Sequence, residues 1–583
     1  MAQDWSLKGA GAANLVYAYR GADEALCGHV LRVRKGSAHS ASEVDIALWE
    51  GVLQHKPGDA AGRELAYVAD VMAPLLGRQY VFPGIPCRLP DDLRAAMGPG
   101  GSSDDFPALL QPDHTTLQTA ALSTQGYVGV GPAVCLEVKP KWGLHPSEVP
   151  RGPAGEAGEP EPLRRRYPRF MLHMLHKHIK SGMPLSYYNP LDLFSGQPPR
   201  MAAALTRLLE APSNNLRVFR DGVQVYGGTG TAGGGSDGID SAPPSPAAGT
   251  QRDGTSIAAT VGFGDIDRAG ARWQALRQLA ANLRGFTPDT AAAGAGAADG
   301  AVSGDGGDGG AGGDGGAGKA KAVTVSVLSA EDAAAEALLG AVARLAAVAL
   351  RKEGVLQRLH DVQALDSEGP AGALSLYDKL VAAVKTGSWP STAAAIVPTA
   401  SATWASAPAL GPNPAAAATA GGGSDGNGHD QGHQGHHSAL EKLRSYLKSV
   451  TAKDCGIMIT LQRAAPATAA AAATAAGAAA TAVGAASADG SEAAAGGGEH
   501  AGELLEPAAA AAGAASRPWV SLLPDPQDPS TLYLYKVAFV DLDIKAAGKL
   551  PKHLQLERQL EESAASERGA ALLRELAALA GLE

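Results

Sequence analysis

Apolar and polar positions alternate along two short stretches near the start of the chain, Asn14 to Tyr19 and His29 to Arg34. A period of two sends successive side chains to opposite faces, so both read as half-buried strands around a glycine turn. The period lengthens to that of an amphipathic helix over Ser42 to Gln54 and over Arg63 to Leu76. Val134 to Lys139 returns to a strand pattern, Arg169 to Lys180 is helical, and Met201 to Glu210 is a short helix closed by Pro212. Ser329 followed by Asp332 is a capping-box start for an Ala/Leu-rich helix reaching about Lys352. Ser438 to Val450 is a further helix. Ile457 to Gln462 and Tyr533 to Asp541 are strands, and a charged amphipathic helix runs from about His553.

Between these elements the periodicity disappears four times, near residues 227–255, 290–321, 393–435 and 464–516. These stretches are nearly pure Ala, Gly, Ser and Thr, which cannot bury a core, and they are expected to be disordered surface-loop insertions. Long insertions of that kind cost little in loop-closure entropy. The remainder of the 583 residues is about two domains' worth of ordered chain.

Charge narrows the choice of partner. Lys and Arg number 49 against 59 Asp and Glu, a net charge of -10, which argues against a nucleic-acid partner. The basic residues cluster, however, at Arg32, Arg34 and Lys35 and again at Arg164, Arg165, Arg166, Arg169, Lys177 and Lys180. A local basic cleft in an acidic chain suits a small, highly anionic ligand. The four cysteines (Cys27, Cys87, Cys135 and Cys455) lie far apart, as expected of reduced, buried thiols in an intracellular protein. The start of the chain has no apolar signal core, and no long apolar run lies outside the Ala tracts. The expectation is therefore a soluble monomer of the cytoplasm or nucleus, with no membrane insertion.

Several polar motifs are set in apolar sequence. Gly9-x-Gly11-x-x-Asn14 lies between strands; its glycines would let backbone N–H groups approach phosphates, or it is an ordinary hairpin turn. Arg32 offers a planar fork to phosphate oxygens from the next strand, or belongs to a solvated strand face. Alternation puts Glu137, Lys139 and Lys141 on one side of an extended segment held open by Pro140. That segment is either a charged edge or a place where Glu137 meets a nucleotide and the lysines meet phosphates. Asn214, Asn215 and Arg217 can grip hydroxyl and phosphate oxygens, or mark the turn that ends a helix. Asp454 could take the proton of an alcohol. Asp541 and Asp543 alternate, so they point to opposite sides if the strand persists, and one would face a Mg²⁺ ion. Capping and turn roles remain open for all three aspartates.

In order along the chain these motifs resemble the inositol-pentakisphosphate 2-kinase family. The resemblance rests on Lys8 to Val16, Val30 to Lys35, Asp113-His114, Glu137 to Lys141, Arg169 to Lys177, Tyr188 to Gly196, Asn214 to Phe219, Val362 to Asp366, Lys453 to Cys455 and Val540 to Lys545. It implies an α+β, two-lobed kinase-like fold of the inositol polyphosphate kinase type. Residues 1–112 would form the N-terminal lobe and 113–583 the C-terminal lobe. It implies transfer of the ATP γ-phosphoryl group to the 2-hydroxyl of inositol 1,3,4,5,6-pentakisphosphate, giving the hexakisphosphate, with ATP and Mg²⁺ as cofactors. By this resemblance Lys8, Gly9, Gly11, Asn14, Arg32, Asp113 and Glu137 serve the nucleotide, Asp454 and Lys139 the reaction, and Asp541 the metal. Lys141, Lys177, Asn214, Asn215, Arg217 and Lys545 would bind inositol phosphates. Lys549 would join them; with His553 it stands where the family carries an arginine and a tyrosine. Members of the family also carry a His/Cys/Cys/His zinc site between the motifs that end here at Arg217 and begin at Lys453; this chain has no cysteine in that interval, so no structural zinc is expected. A reading from another class is a non-catalytic inositol-phosphate sensor on the same fold. The presence of Asp454, Lys139 and Asp541 together disfavours it, because a binder needs no base.

Overall fold

The computed structural model of the chain describes residues 2–11, 14–35, 41–53, 60–89, 91–96, 108–117, 126–150, 162–227, 270–288, 329–387, 431–468 and 520–579. Among these residues the elements are mixed helix and sheet, and the strands form two antiparallel sheets. The first contains β1 (Trp5–Ala10), β2 (Asn14–Tyr19), β3 (His29–Arg34), β4 (Ile85–Cys87) and β5 (Ala108–Pro112), in the order β1-β2-β3-β5-β4. β2 and β3 have the bounds that alternation predicts. β1 escaped that reading because it bulges between Leu7 and Gly9, which spoils the period of two.

The second sheet contains β6 (Tyr127–Val138), β7 (Leu216–Arg220), β8 (Val223–Gly227), β9 (Gly456–Pro466), β10 (Ser521–Pro524) and β11 (Leu532–Val540). Its order is β10-β11-β9-β6-β7-β8. One face is apolar: Val134, Leu136 and Val138 of β6, Ile457, Ile459 and Leu461 of β9, and Tyr533, Tyr535, Val537 and Phe539 of β11 all enter the larger core. Helices Pro198–Glu210, Ala271–Asn282, Ala330–Glu353, Val355–Gln363 and Gln431–Asp454 supply buried side chains to the same core.

Ala330–Glu353 illustrates how local sequence sets these helices. The Ser329 hydroxyl accepts the Asp332 N–H at 3.1 Å at its start, and Gly354 ends it in the left-handed region at φ 64°. By length and composition alone it could cross a membrane, but more than half of its apolar window is buried inside the fold. Leu339, Val342, Ala346 and Leu350 form its inward stripe. Each fully buried leucine there contributes about 2 kcal/mol through removal of apolar surface from water.

The first sheet has a small core of its own, built on Trp5, Leu31, Val33, Cys87, Leu93 and Leu110. None of the described residues between β3 and β4 joins it. Helix Glu43–Trp49, helix Ala60–Ala66 and its π-helical continuation Tyr67–Met72 instead place Leu48, Trp49, Tyr67 and Met72 in the larger core. The chain thus leaves the first sheet after β3, packs against the second, and returns.

Several expected boundaries shift. Gln431–Asp454 starts earlier than Ser438, inside the stretch expected to be an insertion, and β9 runs on to Pro466. Gly227 belongs to β8. The rest of the four inserts lies outside the described residues. The final helix begins at Leu550 and is interrupted at Ser566, giving Leu550–Ala565 and Glu567–Leu579. Cys87, Cys135 and Cys455 are buried as expected, but Cys27 is exposed. It sits in the turn before β3, not on a strand face.

Candidate active site

The face of the second sheet opposite the larger core carries the chemistry. Across β11, β9, β6 and β7 one rung reads Lys536, Thr460, Cys135 and Phe219; the next reads Ala538, Met458, Glu137 and Arg217. Val540 and Gly456 begin a third, where β6 hands over to Lys139. A Cβ on Gly456 would lie 2.9 Å from the Val540 side chain, so glycine permits this close approach. Cys135, Phe219, Met458 and Val540 form a small apolar floor. Beside it the Arg217 guanidinium donates to both Glu137 carboxylate oxygens, at 2.9 and 3.1 Å. The sequence placed Glu137 and Arg217 in different tasks; antiparallel register makes them a cross-strand pair.

Past the strand ends the backbone turns sharply twice, and both turns are functional candidates. Lys141 has φ 61° and Asp541 has φ 59°, left-handed values that cost a residue with a Cβ about 1 kcal/mol or more. The expectation that Pro140 keeps Lys141 extended is therefore corrected: Glu137 and Lys139 share a face, and Lys141 leaves it. The conditional expectation that Asp541 and Asp543 point apart also fails, because β11 ends at Val540 and the left-handed Asp541 breaks alternation.

These turns bring four chain segments together. The Lys139 ammonium donates to Asp541 Oδ2 at 2.9 Å. Arg32, reaching across from β3, donates to both oxygens of Asp543 at 2.9 and 2.8 Å. Asp454 closes helix Gln431–Asp454 and accepts from Lys545 at 3.0 Å and from Lys141 at 3.4 Å. Burial pushes the Asp454 carboxyl up, but Lys545, Lys141 and Lys139 outweigh it and hold it below the usual range. Asp541 behaves likewise: burial raises it, while Lys139 and Arg32 bring it below. Both carboxylates are thus ionised near neutral pH, and both remain partly open, at 56% and 45% side-chain exposure. Burial lowers Lys141 despite Asp454, with Lys139 and Lys177 adding like-charge repulsion.

A wider basic basin surrounds Asp454. Arg169, His173 and Lys177 recur at intervals of four along helix Arg169–Ser181 and so share one face. Burial, then Arg169, Lys177 and Lys141, push His173 down to about 3, so it is neutral at physiological pH. His553, on helix Leu550–Ala565, is also lowered, first by burial and then by Arg169, Lys545 and Lys549, against Glu557. Arg169 and His173 were not among the site residues read from the sequence, whereas Asp543 and His553 were weighed there without being assigned a role. The i, i+4 spacing of the first two within the basic cluster was the available signal.

Not every candidate gathers here. Lys8 lies at the other end of the sheet's open face, donating to Asp113 Oδ2 at 2.5 Å and to the Thr115 hydroxyl. Lys536 donates to the Asp113 carbonyl at 2.9 Å. Asp541 follows Lys536 by five residues, about 16 Å along an extended chain. Gly9 and Gly11 belong to the β1–β2 hairpin, closed by the Gly11 N–H to the Asn14 carbonyl at 2.8 Å, so the glycine loop is also a hairpin turn. Asn215 is buried, with its side-chain oxygen unpartnered, and its carbonyl accepts the Lys139 N–H at 2.8 Å; Asn214 stands exposed beside it. Lys453 is buried and pairs with Asp366 at 3.0 Å.

Among the described residues no group of three or more His, Cys, Asp or Glu side chains could hold a metal ion. Asp541 and Asp543, neighbouring hard-oxygen donors at the open end, suit the other arrangement, in which Mg²⁺ takes one or two carboxylates and completes its shell with phosphate oxygens and water.

A family model described as inositol-pentakisphosphate 2-kinase matches residues 8–559. A protein of Oryza sativa subsp. japonica named as an inositol-pentakisphosphate 2-kinase is 30% identical over 265 residues, covering 41% of this chain and 56% of that protein. One of Arabidopsis thaliana is 29% identical over 259 residues, covering 39% and 54%. One of Danio rerio is 35% identical over 175 residues, covering 27% and 33%. The chain thus spans about half the length of the plant relatives it matches.

Proposed function

The chain belongs to the inositol-pentakisphosphate 2-kinase family, and from that premise we propose that it transfers the γ-phosphoryl group of ATP to the 2-hydroxyl of inositol 1,3,4,5,6-pentakisphosphate. The observation that carries the proposal is the position of Asp454. An ionised carboxylate is held by Lys141 and Lys545 at the mouth of a basic basin, next to the Lys139–Asp541 pair.

The two sheets act as two lobes of a kinase-like fold, dividing near residue 112, with the helices between β3 and β4 anchored in the larger core. The base of ATP lies on the floor of Cys135, Phe219, Met458 and Val540, beside Glu137. Its phosphates run toward Arg32 and Lys139, under the glycine hairpin. The pentakisphosphate carries about eight to ten negative charges, taking each phosphate at -1.5 to -2. Lys141, the helix pair Arg169 and Lys177, and Lys545 with Lys549 offer cations from three segments of the chain, with Asn215 and Arg217 beside them.

Asp454 accepts the proton of the 2-hydroxyl as that oxygen bonds to the transferred phosphorus and ADP leaves. Its weak basicity in the empty basin fits a group surrounded by lysines; once phosphates neutralise those lysines its affinity for a proton rises. Lys139 stabilises negative charge on the phosphoryl oxygens, and Arg32 orients the same group from the other sheet. Asp541, with Asp543 beside it, would hold Mg²⁺, which when bound would supply charge neutralisation at the phosphates.

The test is ATP- and Mg²⁺-dependent conversion of the pentakisphosphate to hexakisphosphate by the purified protein, beside Asp454→Asn. Product from the wild type alone, with the pentakisphosphate still bound by the variant, is expected. Equal turnover by both proteins removes Asp454 as the base, and no product from a folded wild type rejects the reading.

A further inference from the structure

Two of the proposed groups, Lys141 and Asp454, come from chain segments 313 residues apart. Their backbones are joined by one side chain that touches neither functional group. Gln363, at the end of helix Val355–Gln363, has no solvent exposure. Its Oε1 accepts the Gly143 N–H at 2.8 Å. Its Nε2 donates to the Lys141 carbonyl at 2.9 Å and to the Ala452 carbonyl at 3.2 Å. Its own carbonyl accepts the Ser449 hydroxyl at 2.6 Å. A primary amide has one acceptor oxygen and two donor hydrogens, and this one spends both kinds on the two segments.

The consequence follows from what those segments do locally. Lys141 holds the left-handed φ of 61°, and a residue with a Cβ keeps such a conformation only where its surroundings over-determine it. The peptide groups on either side are fixed: Tyr188 donates to the Pro140 carbonyl at 2.8 Å, and Gln363 takes the Lys141 carbonyl and the Gly143 N–H. The third bond reaches Ala452, two residues before Asp454. The separation between the substrate-binding lysine and the base is therefore set through the Gln363 amide. We propose that Gln363 is a positioning residue for phosphoryl transfer, holding the Lys141 turn and the Asp454 helix end in one reactive geometry. The proposal rests on the functional reading above. It goes beyond that reading in giving a buried residue, remote from all reacting atoms, control of the rate.

A purely structural glutamine would move stability. A positioning glutamine moves kcat at nearly constant KM for ATP, because the nucleotide floor lies on other strands. A misplacement of about 1 Å at a reacting centre costs about 10²-fold. Gln363→Leu is expected to lose about that factor in kcat while KM for ATP stays within about threefold.

The near-isosteric Gln363→Glu gives a readout that folding alone would not. One carboxyl oxygen can still accept from Gly143, but the other then faces two carbonyl oxygens and must carry a proton to donate to either. The ratio of variant to wild-type kcat should therefore rise as pH falls. A ratio that is flat with pH, or a folded Gln363→Leu with kcat within twofold of wild type, overturns the proposal. Should Gln363→Leu fail to fold, the pH dependence of Gln363→Glu decides alone. Asp454→Asn measured alongside separates the two levels. An active wild type and an inactive Asp454→Asn, with Gln363 variants unaffected, reject this inference and leave the functional reading standing. A wild type without transferase activity rejects both.

Discussion

Lys453, which precedes the proposed base, offers a quantitative check on how the site is supported. Its ammonium lies 3.0 Å from Asp366 Oδ2, and the two side chains are only 3% and 2% exposed. It also sits 4.0 Å from the centre of the Trp142 ring, which the Arg169 guanidinium approaches to 4.4 Å. Burial lowers the Lys453 ammonium, and Asp366 opposes that shift. Replacing Lys453 by Met keeps volume and removes the charge, stranding a buried carboxylate. Breaking such a pair from one side costs about 3–5 kcal/mol. Two features move this case within that range. Asp366 Oδ1 accepts the Glu368 and Gly369 N–H groups, at 3.1 and 2.8 Å, which shields part of the stranded charge. The lost cation–π contact adds about 1 kcal/mol. We expect Lys453→Met to lose about 4 kcal/mol. In Lys453→Met/Asp366→Asn the asparagine keeps the Oδ1 acceptor without the charge, and the loss should fall to about 2 kcal/mol. The assay is urea unfolding of wild type, both single variants and the double, followed by far-UV circular dichroism and tryptophan fluorescence. A single-variant cost under about 1 kcal/mol, or a double variant at the sum of the singles, would refute the view that one buried charge pair anchors the Asp454 helix end.

Two further outcomes follow from the same geometry. Lys139→Ala should lower kcat by about 10²-fold or more, since it removes the cation proposed to sit at the reacting phosphoryl group. Its ion pair with Asp541 is partly solvated, so stability should change by no more than about 1 kcal/mol; equal rates in variant and wild type would reduce Lys139 to an edge charge. Acid should destabilise the protein through half-buried neutral histidines. His114, lowered to about 3 by burial and then by Lys536, and His173, also about 3, bind no proton in the folded state at pH values where the unfolded chain does. Stability from each is therefore complete above about pH 6.5 and is lost as pH falls toward about 3, with a limiting slope of about 1.4 kcal/mol per pH unit. Urea midpoints between pH 7 and 4.5 should decline less steeply in His173→Gln than in wild type, and parallel slopes would show that His173 protonates freely in the fold.

What could be read from the chain alone was whatever local pattern controls. Period-two alternation placed β2 and β3 to the residue, because a strand with one buried face must alternate. Ser329 and Asp332 marked a helix start through a hydrogen bond spanning three residues. The motif residues Lys139, Lys141, Asp454 and Asp541 stood out because charges at the ends of apolar strands make poor core. β1 escaped because its bulge shifts the period, and β4 and β10 are too short to show one.

Tertiary structure decided which of these residues meet. Lys139 and Asp541 are 402 residues apart, and Arg32 and Asp543 are 511 apart; sheet register and the path of the chain bring them together. No periodicity carries that information. The left-handed turns at Lys141 and Asp541 likewise depend on partners that only the folded protein supplies, as the bonds of Gln363 and Tyr188 to the Lys141 turn illustrate. The sequence showed amphipathic helices between β3 and β4 but not what they pack against, and their apolar faces complete the larger core. Amphipathic pattern dictates that a helix will bury a face; the fold alone determines against what.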